Sequence, residues 1–212
     1  MKKLILMLVF ALATVGASAQ AKMNWSVDLG LGASTWMGDG SDGAKALFNQ
    51  KIGVGVDIPM TGLISFKTGL YWSSKGVKVS EKGDFGDFGS KLDVKVNQNY
   101  FQMPVLAAFH FGTGQNFDVV VSGGAYMAVG VCGKTEAEVD DLTVSVNTFG
   151  DSKIGDVKMQ GLHRFDAGIQ TGVALDFQSW TVGVDGEFGL TKIAKGDSPR
   201  NLAFFVNVGY KF

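Results

Sequence analysis

Apolar side chains recur at every second position in eight segments of the chain. Such a period of two indicates β-strands with one apolar face, because successive side chains of a strand point to opposite sides. In the last segment, Leu202, Phe204 and Val206 alternate with residues that are smaller or more polar, apart from Phe205. The predicted strands cover residues 24–37, 48–58, 63–79, 94–111, 117–132, 157–177, 180–193 and 201–212. The pattern therefore predicts an all-β fold.

The face opposite the apolar side chains is rich in glycine and carries few charges. In the first predicted strand, Val27 and Leu29 alternate with Asp28, Gly30 and Gly32. A soluble sandwich or lipocalin-like barrel is the alternative, but its exposed face would carry many Lys and Glu residues. The pattern favours an apolar face turned toward lipid. Because only helices and closed barrels satisfy their backbone groups in lipid, we expect a closed barrel.

The connections between the predicted strands alternate in length. Short turns at 59–62, 112–116 and 178–179 separate longer connections at 38–45, 81–91, 133–156 and 194–200. An even number of strands with short turns at one end and long loops at the other is typical of bacterial membrane barrels. We therefore predict an eight-stranded antiparallel up-and-down transmembrane β-barrel over residues 20–212, with periplasmic termini. Aromatic residues near the periplasmic strand ends fit the expected girdle, namely Trp25, Phe117, Phe177, Trp180 and Phe212.

Residues 1–19 have the layout of a secretory signal peptide. Lys2 and Lys3 precede an apolar run at 4–15, and the small residues Ala17-Ser18-Ala19 follow it. The apolar run is shorter than the ~20 residues that a spanning helix needs. We therefore expect cleavage after Ala19, with cleavage after Ala21 as a second possibility, and export of the mature chain.

The amino-acid composition limits the possible functions and structural features of the chain. Loss of Lys2 and Lys3 with the signal peptide leaves 17 basic against 20 acidic residues, a net charge of −3, which gives no argument for nucleic acid binding. The chain has 30 Gly and only 3 Pro, which fits strands that bend and pack closely. Cys132 is the single cysteine and has no partner for an internal disulfide, so we expect an inert thiol.

The lumen of an eight-stranded barrel is just wide enough to be filled by side chains. By strand register, the charged residues that face it are Asp28, Asp57, Asp118, Asp166, Asp176, Asp185 and Glu187, with Lys51, Lys67, Arg164 and Lys211. Buried charges are costly unless they are paired. We predict a structural network of ion pairs with Arg164 and Lys67 as its hubs, and a narrow proton or ion path is the alternative. Since acids outnumber bases, we expect some carboxylates to be protonated or hydrated.

Several stretches resemble a known family. The segment 100–106, Tyr-Phe-Gln-Met-Pro-Val-Leu, is similar to a strand that marks PorT-type outer-membrane β-barrel domains. Residues 164–168, 188–193, 200–201 and 209–212 resemble the second half of that family's pattern. The resemblance implies a small OmpA/OmpX-like barrel in the outer membrane of a Gram-negative bacterium. It also implies that the terminal aromatic, Phe212, is recognised by the barrel-assembly machinery, and it brings no shared catalytic residues.

The two histidines are the main candidates for enzyme chemistry. His110 is predicted to face inward near the periplasmic end, where it serves as a structural residue. His163 is predicted to face outward near the opposite rim, where some eight-stranded barrels modify lipid A. No Ser lies in a helpful register with His163, and no GxSxG motif is present. The sequence therefore predicts a protein without enzymatic activity, with lipid A modification as the alternative.

The longest connection carries an acidic group, Glu136, Glu138, Asp140 and Asp141. Its spacing matches no EF-hand, and the chain has no phosphate loop, zinc spacing or dinucleotide fingerprint. We therefore predict no cofactor and no dedicated metal site. The group is interpreted as facing solvent or lipopolysaccharide, where divalent ions bridge it to anionic headgroups. A hairpin through 142–146 is one interpretation of the same connection.

These observations predict a structural or interaction role. The expected partners are outer-membrane lipid, lipopolysaccharide and a surface or envelope protein that contacts the extracellular loops. Support of envelope or secretion machinery is a second form of the same role. A lipid A-modifying enzyme and a narrow pore remain the alternatives.

Overall fold

The computed structural model describes residues 23–82, 91–113, 116–139, 142–154, 157–159, 161–194 and 198–212. The predicted signal peptide and the pair Asp140 and Asp141 lie outside these residues. Within the described chain the strands are β1 (Asn24–Met37), β2 (Ala44–Lys45), β3 (Leu47–Pro59), β4 (Ile64–Lys82), β5 (Lys91–Gly112), β6 (Phe117–Cys132), β7 (Lys134–Val139), β8 (Leu142–Asn147), β9 (Ser152–Ile154), β10 (Val157–Met159), β11 (Phe165–Phe177), β12 (Trp180–Gly189) and β13 (Arg200–Lys211). No helix in this part of the chain is long and apolar enough to cross a membrane.

Eight of the strands close into a barrel. In the order β1, β3, β4, β5, β6, β11, β12, β13, each strand pairs antiparallel with the next, and β13 pairs with β1. The prediction of an eight-stranded antiparallel barrel is confirmed. The short turns, the start of β1 and the end of β13 lie at one end, which we call the turn end and which is periplasmic. Longer connections lie at the opposite, extracellular end, which we call the loop end.

Most predicted strand bounds agree with the structure, but the sixth and seventh segments are shorter than expected. Barrel strand β11 begins at Phe165 and not at residue 157, since the short ribbon of β9 and β10 occupies part of the predicted segment. Strand β12 ends at Gly189, because the amides of Leu190 and Thr191 both donate to the carbonyl of Ala167. Both differences lie at the loop end.

The apolar side chains point outward, as the pattern predicts. Leu29 and Val206 are 48% and 56% exposed, whereas Tyr100 and Ala203 on the lumen side are fully buried. Aromatic pairs mark both edges of the apolar band: Trp180–Tyr210 and Phe117–Phe177 near the turn end, Trp72–Phe101 and Phe188–Phe204 nearer the loop end. This outer surface suits the hydrocarbon layer of a membrane with its aromatic girdles.

Strands β4 and β5 are much longer than a membrane span requires. Above the Trp72–Phe101 pair, the outer face turns polar, and the hydroxyl of Ser74 donates to Asn99 at 2.7 Å. The stretch from Ile64 to Ser74 therefore matches the ~9–11 residues that a tilted strand needs to cross. The remainder of both strands rises beyond the membrane on the extracellular side.

The rising strands form the centre of a second sheet region, which we call the extension sheet. Its order is β2, β4, β5, β7, β8, and β7 and β8 form a hairpin that adds to β5. The structure thus contains the hairpin that was one interpretation of the longest connection. One face of the extension sheet continues the lumen side and is apolar, with Val77 and Val96 buried, whereas the other face carries Lys78, Lys95 and Glu136.

Candidate functional site

Five ionisable side chains form an alternating ion-pair chain across the loop-end half of the lumen. The Lys75 ammonium lies 3.1 Å from a carboxylate oxygen of Asp166 and 3.0 Å from one of Glu187. The Lys51 ammonium lies 3.1 Å from Glu187 and 2.8 Å from Asp185. The order is therefore Asp166, Lys75, Glu187, Lys51, Asp185, with one more negative than positive charge.

Strand alternation brings these side chains together. Lys51 comes from β3, Lys75 from β4 and Asp166 from β11, whereas Asp185 and Glu187 are two residues apart on β12 and so share one face. The barrel positions the partners at sequence separations of more than ninety residues, for example 91 between Lys75 and Asp166. Only closure of the sheet makes these contacts, and so the ion-pair chain exists only in the folded barrel.

Neutral donors add hydrogen bonds to two of the carboxylates. The side-chain amide of Gln102 donates to Glu187 at 2.7 Å. Asp166 accepts hydrogen bonds from the side chains of Tyr126 at 3.2 Å, Asn201 at 3.2 Å and Thr191 at 3.0 Å. A buried carboxylate that is paired and hydrogen-bonded on several sides avoids most of the cost of leaving water.

Aromatic rings exclude water from the two lysines. The Lys75 ammonium lies 4.1 Å from the centre of the Tyr126 ring, and the Lys51 ammonium lies 4.5 Å from the centre of the Phe205 ring. Both distances suit cation–π attraction. Lys75 and Glu187 are each 1% exposed. Asp166, Lys75 and Glu187 therefore form a dry layer that closes this half of the lumen, whereas Asp185 at the other end of the ion-pair chain is partly exposed.

A small apolar cluster caps the ion-pair chain at the loop end. Phe149, from the segment after β8, packs with Tyr100, Tyr126 and Ala128. Gly130 makes this possible, because a Cβ at that position would collide with the Phe149 ring. Phe149 of the extracellular connection thus helps to close the loop end of the lumen.

Arg164 holds this cap in place from outside, which corrects its predicted role as a lumen hub. Its guanidinium donates to the carbonyls of Gly130 at 2.9 Å and Phe149 at 2.8 Å, and it lies over the Phe149 ring. The side chain is exposed at the rim, since β11 begins only at Phe165. It forms no part of the ion-pair chain.

Lys67 is likewise not a hub. It lies near the turn end, where its ammonium is 3.7 Å from Asp57 and its side chain is 28% exposed. The lysines that connect several carboxylates are Lys51, which was among the predicted lumen residues, and Lys75, which was not. Lys75 and Lys67 are an even number of residues apart on β4, so their side chains point to the same face. This two-residue period was the signal that could have identified Lys75 as a lumen residue.

The turn-end half of the lumen contains a cavity of about 150 Å³, which we call the turn-end vestibule. Lys51, Gln102 and Asp185 contribute to its inner boundary, whereas Lys67 and Lys211 lie toward the turn end. The Lys211 ammonium lies 2.5 Å from Asp176, which also accepts a hydrogen bond from Thr181 at 2.8 Å. The two lysine–carboxylate contacts here share no residue, although Asp57 also lies 3.6 Å from Nε2 of His110. No aromatic ring lies over Lys67 or Lys211 among the contacts of the described residues.

The remaining predicted residues lie outside the ion-pair chain. Asp28 is on the vestibule wall, where it accepts hydrogen bonds from Ser26 at 2.9 Å and Tyr71 at 2.8 Å. Asp118 is half-buried near the turn end, opposite Asp176 in the register. His110, on the same end, is 2.8 Å from the hydroxyl of Ser65.

The outer residues considered for chemistry are dispersed. His163 is exposed at the loop end, and its Nδ1 lies 3.2 Å from the carbonyl oxygen of Lys192. Glu136 and Glu138 lie on β7, where they stand opposite Lys95 and Asp93 of β5. Cys132 is a free, exposed thiol. Within the described residues, no group of three or more His, Cys, Asp or Glu side chains is placed to hold a metal ion.

The chain is similar to one known protein family and, more distantly, to several solved structures. The family model for the outer membrane protein beta-barrel domain matches residues 18–195. Among solved structures, the attachment invasion locus protein Ail of Yersinia pestis is 13% identical, with a TM-score of 0.40 over 90% of this chain and 99% of that one. Neisserial surface protein A is 8% identical, with a TM-score of 0.42 over 92% and 100% of the two chains.

A major outer membrane protein of Thermus thermophilus is 13% identical, with a TM-score of 0.49 over 90% of this chain and 100% of that one. No curated protein shows significant sequence similarity to the chain. The family match covers most of the sequence, and the structure is a closed antiparallel β-barrel. The chain therefore belongs to the family of outer membrane protein β-barrel domains, which reside in the outer membrane of Gram-negative bacteria.

Proposed function

We propose that this protein is a non-enzymatic membrane anchor that displays the extension sheet to an extracellular protein partner. The partner would pair an extended segment with β8, the last strand of that sheet. The observation that carries the proposal is the edge of β8, which pairs only with β7 within the described residues.

The extension sheet is a suitable platform because the barrel itself holds it. Its central strands β4 and β5 continue without interruption from the membrane-spanning part, and their register runs as far as Lys82 and Lys91. The hairpin of β7 and β8 is paired with β5 from Leu92 to Val96. A strand edge presented on such a support loses little conformational entropy on binding.

The sequence of β8 lacks the features that normally protect a sheet edge. Residues 142–147, Leu-Thr-Val-Ser-Val-Asn, contain no charge and no proline, and half of them are β-branched. Natural proteins usually protect edges with Lys, Pro or a bulge, because an open edge recruits further strands. Addition of a strand to such an edge is a recurrent mode of peptide recognition.

The two alternatives, a narrow pore and a lipid A-modifying enzyme, have less support from the geometry. A pore requires a continuous path, whereas the ion-pair chain and the Phe149 cap occupy the loop-end half of the lumen. Lipid A modification requires a nucleophile or acid beside His163, whose described polar contact is a main-chain carbonyl. We therefore retain the absence of enzymatic activity as a prediction.

Several finer predictions belong to the same proposal. Membership of the PorT-type group and support of secretion machinery rest on the sequence resemblance. Recognition of Phe212 by the assembly machinery, contact with lipopolysaccharide and removal of residues 1–19 also remain predictions.

Photo-crosslinking on intact bacteria tests the proposed edge. A benzophenone amino acid replaces the exposed Asn147 on β8, in the native chain and in the variants Ser145→Lys and Ser80→Lys. Ser145→Lys adds an edge-protecting charge to β8, whereas Ser80→Lys makes the same change on the same sheet face of β4, between β2 and β5.

A discrete adduct in the native chain and in Ser80→Lys, strongly reduced in Ser145→Lys, is the expected result. Absence of any discrete adduct would contradict the proposal. Equal adduct yields in the two lysine variants would also contradict it, because the contact would then not depend on the edge. The heat-dependent gel shift of a folded barrel serves as the control for each variant.

A further inference from the structure

The lumen carries more negative than positive charge. Among the described residues, the lumen-facing charges by register are Asp28, Asp57, Asp118, Asp166, Asp176, Asp185 and Glu187, against Lys51, Lys67, Lys75 and Lys211. Seven carboxylates therefore face four ammonium groups. Two of the three excess negative charges lie in the turn-end half, because the ion-pair chain holds three of the carboxylates and two of the lysines.

Asp28 is a carboxylate of the vestibule without a cationic partner in the described chain. Its hydrogen bonds come from the neutral hydroxyls of Ser26 and Tyr71. Two glycines accommodate its carboxylate, since a Cβ at Gly55 or Gly209 would collide with the Asp28 oxygens. An ionised group in this position attracts a cation.

Two buried glutamines supply further acceptors at the inner part of the vestibule. Gln102 is 1% exposed and Gln170 is 7% exposed, and both line the cavity. The Oε1 atom of each has no hydrogen-bond partner among the described residues. Both residues neighbour Glu187, because Gln102 donates to it and Gln170 stands opposite it on β11. A buried acceptor without a donor is costly, so these atoms indicate that the site receives a donor.

The chemistry of the wall favours a nitrogen cation. The three lysines on the wall, Lys51, Lys67 and Lys211, are already paired with carboxylates. Among the described residues, the Asp28 carboxylate has no cationic partner and the amide oxygens of the two glutamines have no donor, and all of these groups accept hydrogen bonds. The cavity volume of about 150 Å³ suits a small molecule accompanied by water. The described residues contain no group of three or more carboxylate, His or Cys ligands for a metal ion. A primary ammonium group provides three donors and one positive charge, which matches these acceptors.

We propose that the turn-end vestibule is a binding site for a small primary ammonium cation that enters from the periplasm. Asp28 supplies the opposite charge, and Gln102 and Gln170 accept hydrogen bonds from the bound amine or from its water. The ion-pair chain forms the inner wall, so the site is blind and passes nothing to the cell surface. This site is independent of the extension sheet.

Titration of the folded barrel in micelles with methylammonium chloride tests the site by NMR. The readouts are backbone signals of Ser122 and Gly172, which line the vestibule, and of Thr135 on the extension sheet as an internal control. Sodium chloride at equal concentration provides the control for ionic strength. Saturable shifts with methylammonium at the vestibule residues alone are expected, with an affinity in the millimolar range because so small a ligand makes few contacts.

Two substitutions assign the binding to this site. Asp28→Asn removes the charge, and Gln170→Leu removes an acceptor at similar volume. Each is expected to weaken methylammonium binding by about tenfold, the usual value of a hydrogen bond to a charged group. Glu138→Gln on the exposed part of β7 is the matched loss of a carboxylate and is expected to leave the affinity unchanged.

Three results would overturn the proposal. They are the absence of saturable shifts, equal saturation at the same residues by sodium, and unchanged affinity in both vestibule variants. The heat-dependent gel shift verifies that each variant is folded. If Asp28→Asn does not fold, Gln170→Leu alone decides between the expected and the contrary result.

Discussion

The two halves of the lumen use the same residue types in different physical environments. In the loop-end half, Lys75 and Glu187 are buried within a chain of shared ion pairs, and the Lys75 ammonium lies over the Tyr126 ring. In the turn-end half, Lys67 and Lys211 make separate pairs beside a cavity, with side chains 28% and 22% exposed. Ion pairs thus close the barrel only where large side chains exclude water from them.

The size of the neighbouring residues explains the difference. Tyr100, Tyr126 and Phe205 fill the loop-end half and are almost completely buried. The vestibule is lined in contrast by glycines at four strand positions, Gly55, Gly172, Gly183 and Gly209. In a lumen of this width, large inward side chains fill the space, whereas glycines leave a cavity. The position of a charged lumen residue along the barrel therefore decides whether it is buried in a structural ion pair or accessible from a cavity.

Removal of Glu187 should give the largest contrast between the halves. Glu187→Ala leaves Lys51 and Lys75 without their shared carboxylate in a dry layer, and loss of one partner of a buried pair costs about 3–5 kcal/mol of unfolding free energy. Asp176→Ala is the matched loss of a carboxylate at the turn end. Urea unfolding in lipid vesicles measures both, and equal losses for the two variants would contradict the comparison.

The Phe149 cap should make a smaller contribution. Phe149→Leu removes the ring that packs on Tyr100 and Ala128, and we expect a loss of about 1–3 kcal/mol, typical of a buried substitution. Proteolysis of the connection after β6 should become faster in this variant. Phe48→Leu is the control, because Phe48 is exposed on the outer face. Equal proteolysis of both variants would mean that Phe149 does not hold the connection.

Neutralisation of Lys67 should have the smallest effect. Lys67→Met breaks a partly exposed pair with Asp57, and such pairs are worth about 0–1 kcal/mol. Added salt should weaken the native pair and so reduce the difference between native and variant barrels in urea unfolding. A loss as large as that of Glu187→Ala would show that the turn-end pairs are not screened by solvent.

Most of the barrel could be predicted because lipid imposes one rule on every strand. The alternation of Leu29 and Val206 with their neighbours reflects an outward face that meets hydrocarbon along its whole length. Above the membrane this rule ends. The hairpin of β7 and β8 lies beyond the membrane, where no lipid-facing side is required, so the same alternation no longer distinguishes strand from connection. The sixth predicted segment was therefore too long.

The lumen network could be predicted only in part. Parity places Lys51, Asp185 and Glu187 on the inner face, but their pairing depends on how strands distant in sequence are staggered around the barrel. The same alternation also puts Lys75 on the inner face, but this residue lies farther along β4, where the predicted strand continues beyond the membrane. The rim position of Arg164 depends on where β11 begins, and no periodic pattern marks that residue.

Thiol accessibility tests the central difference between the two halves most directly. In a Cys132→Ser background, single cysteines replace Ser73, which is fully buried beside the ion-pair chain, and Ser122, which lines the vestibule. Both replacements conserve size, and a small water-soluble methanethiosulfonate reagent is applied to the folded barrel in micelles. A dry loop-end half predicts rapid reaction at Ser122→Cys and almost none at Ser73→Cys. Equally rapid reaction at the two positions would show that water reaches both halves of the lumen, which would contradict a dry loop-end half.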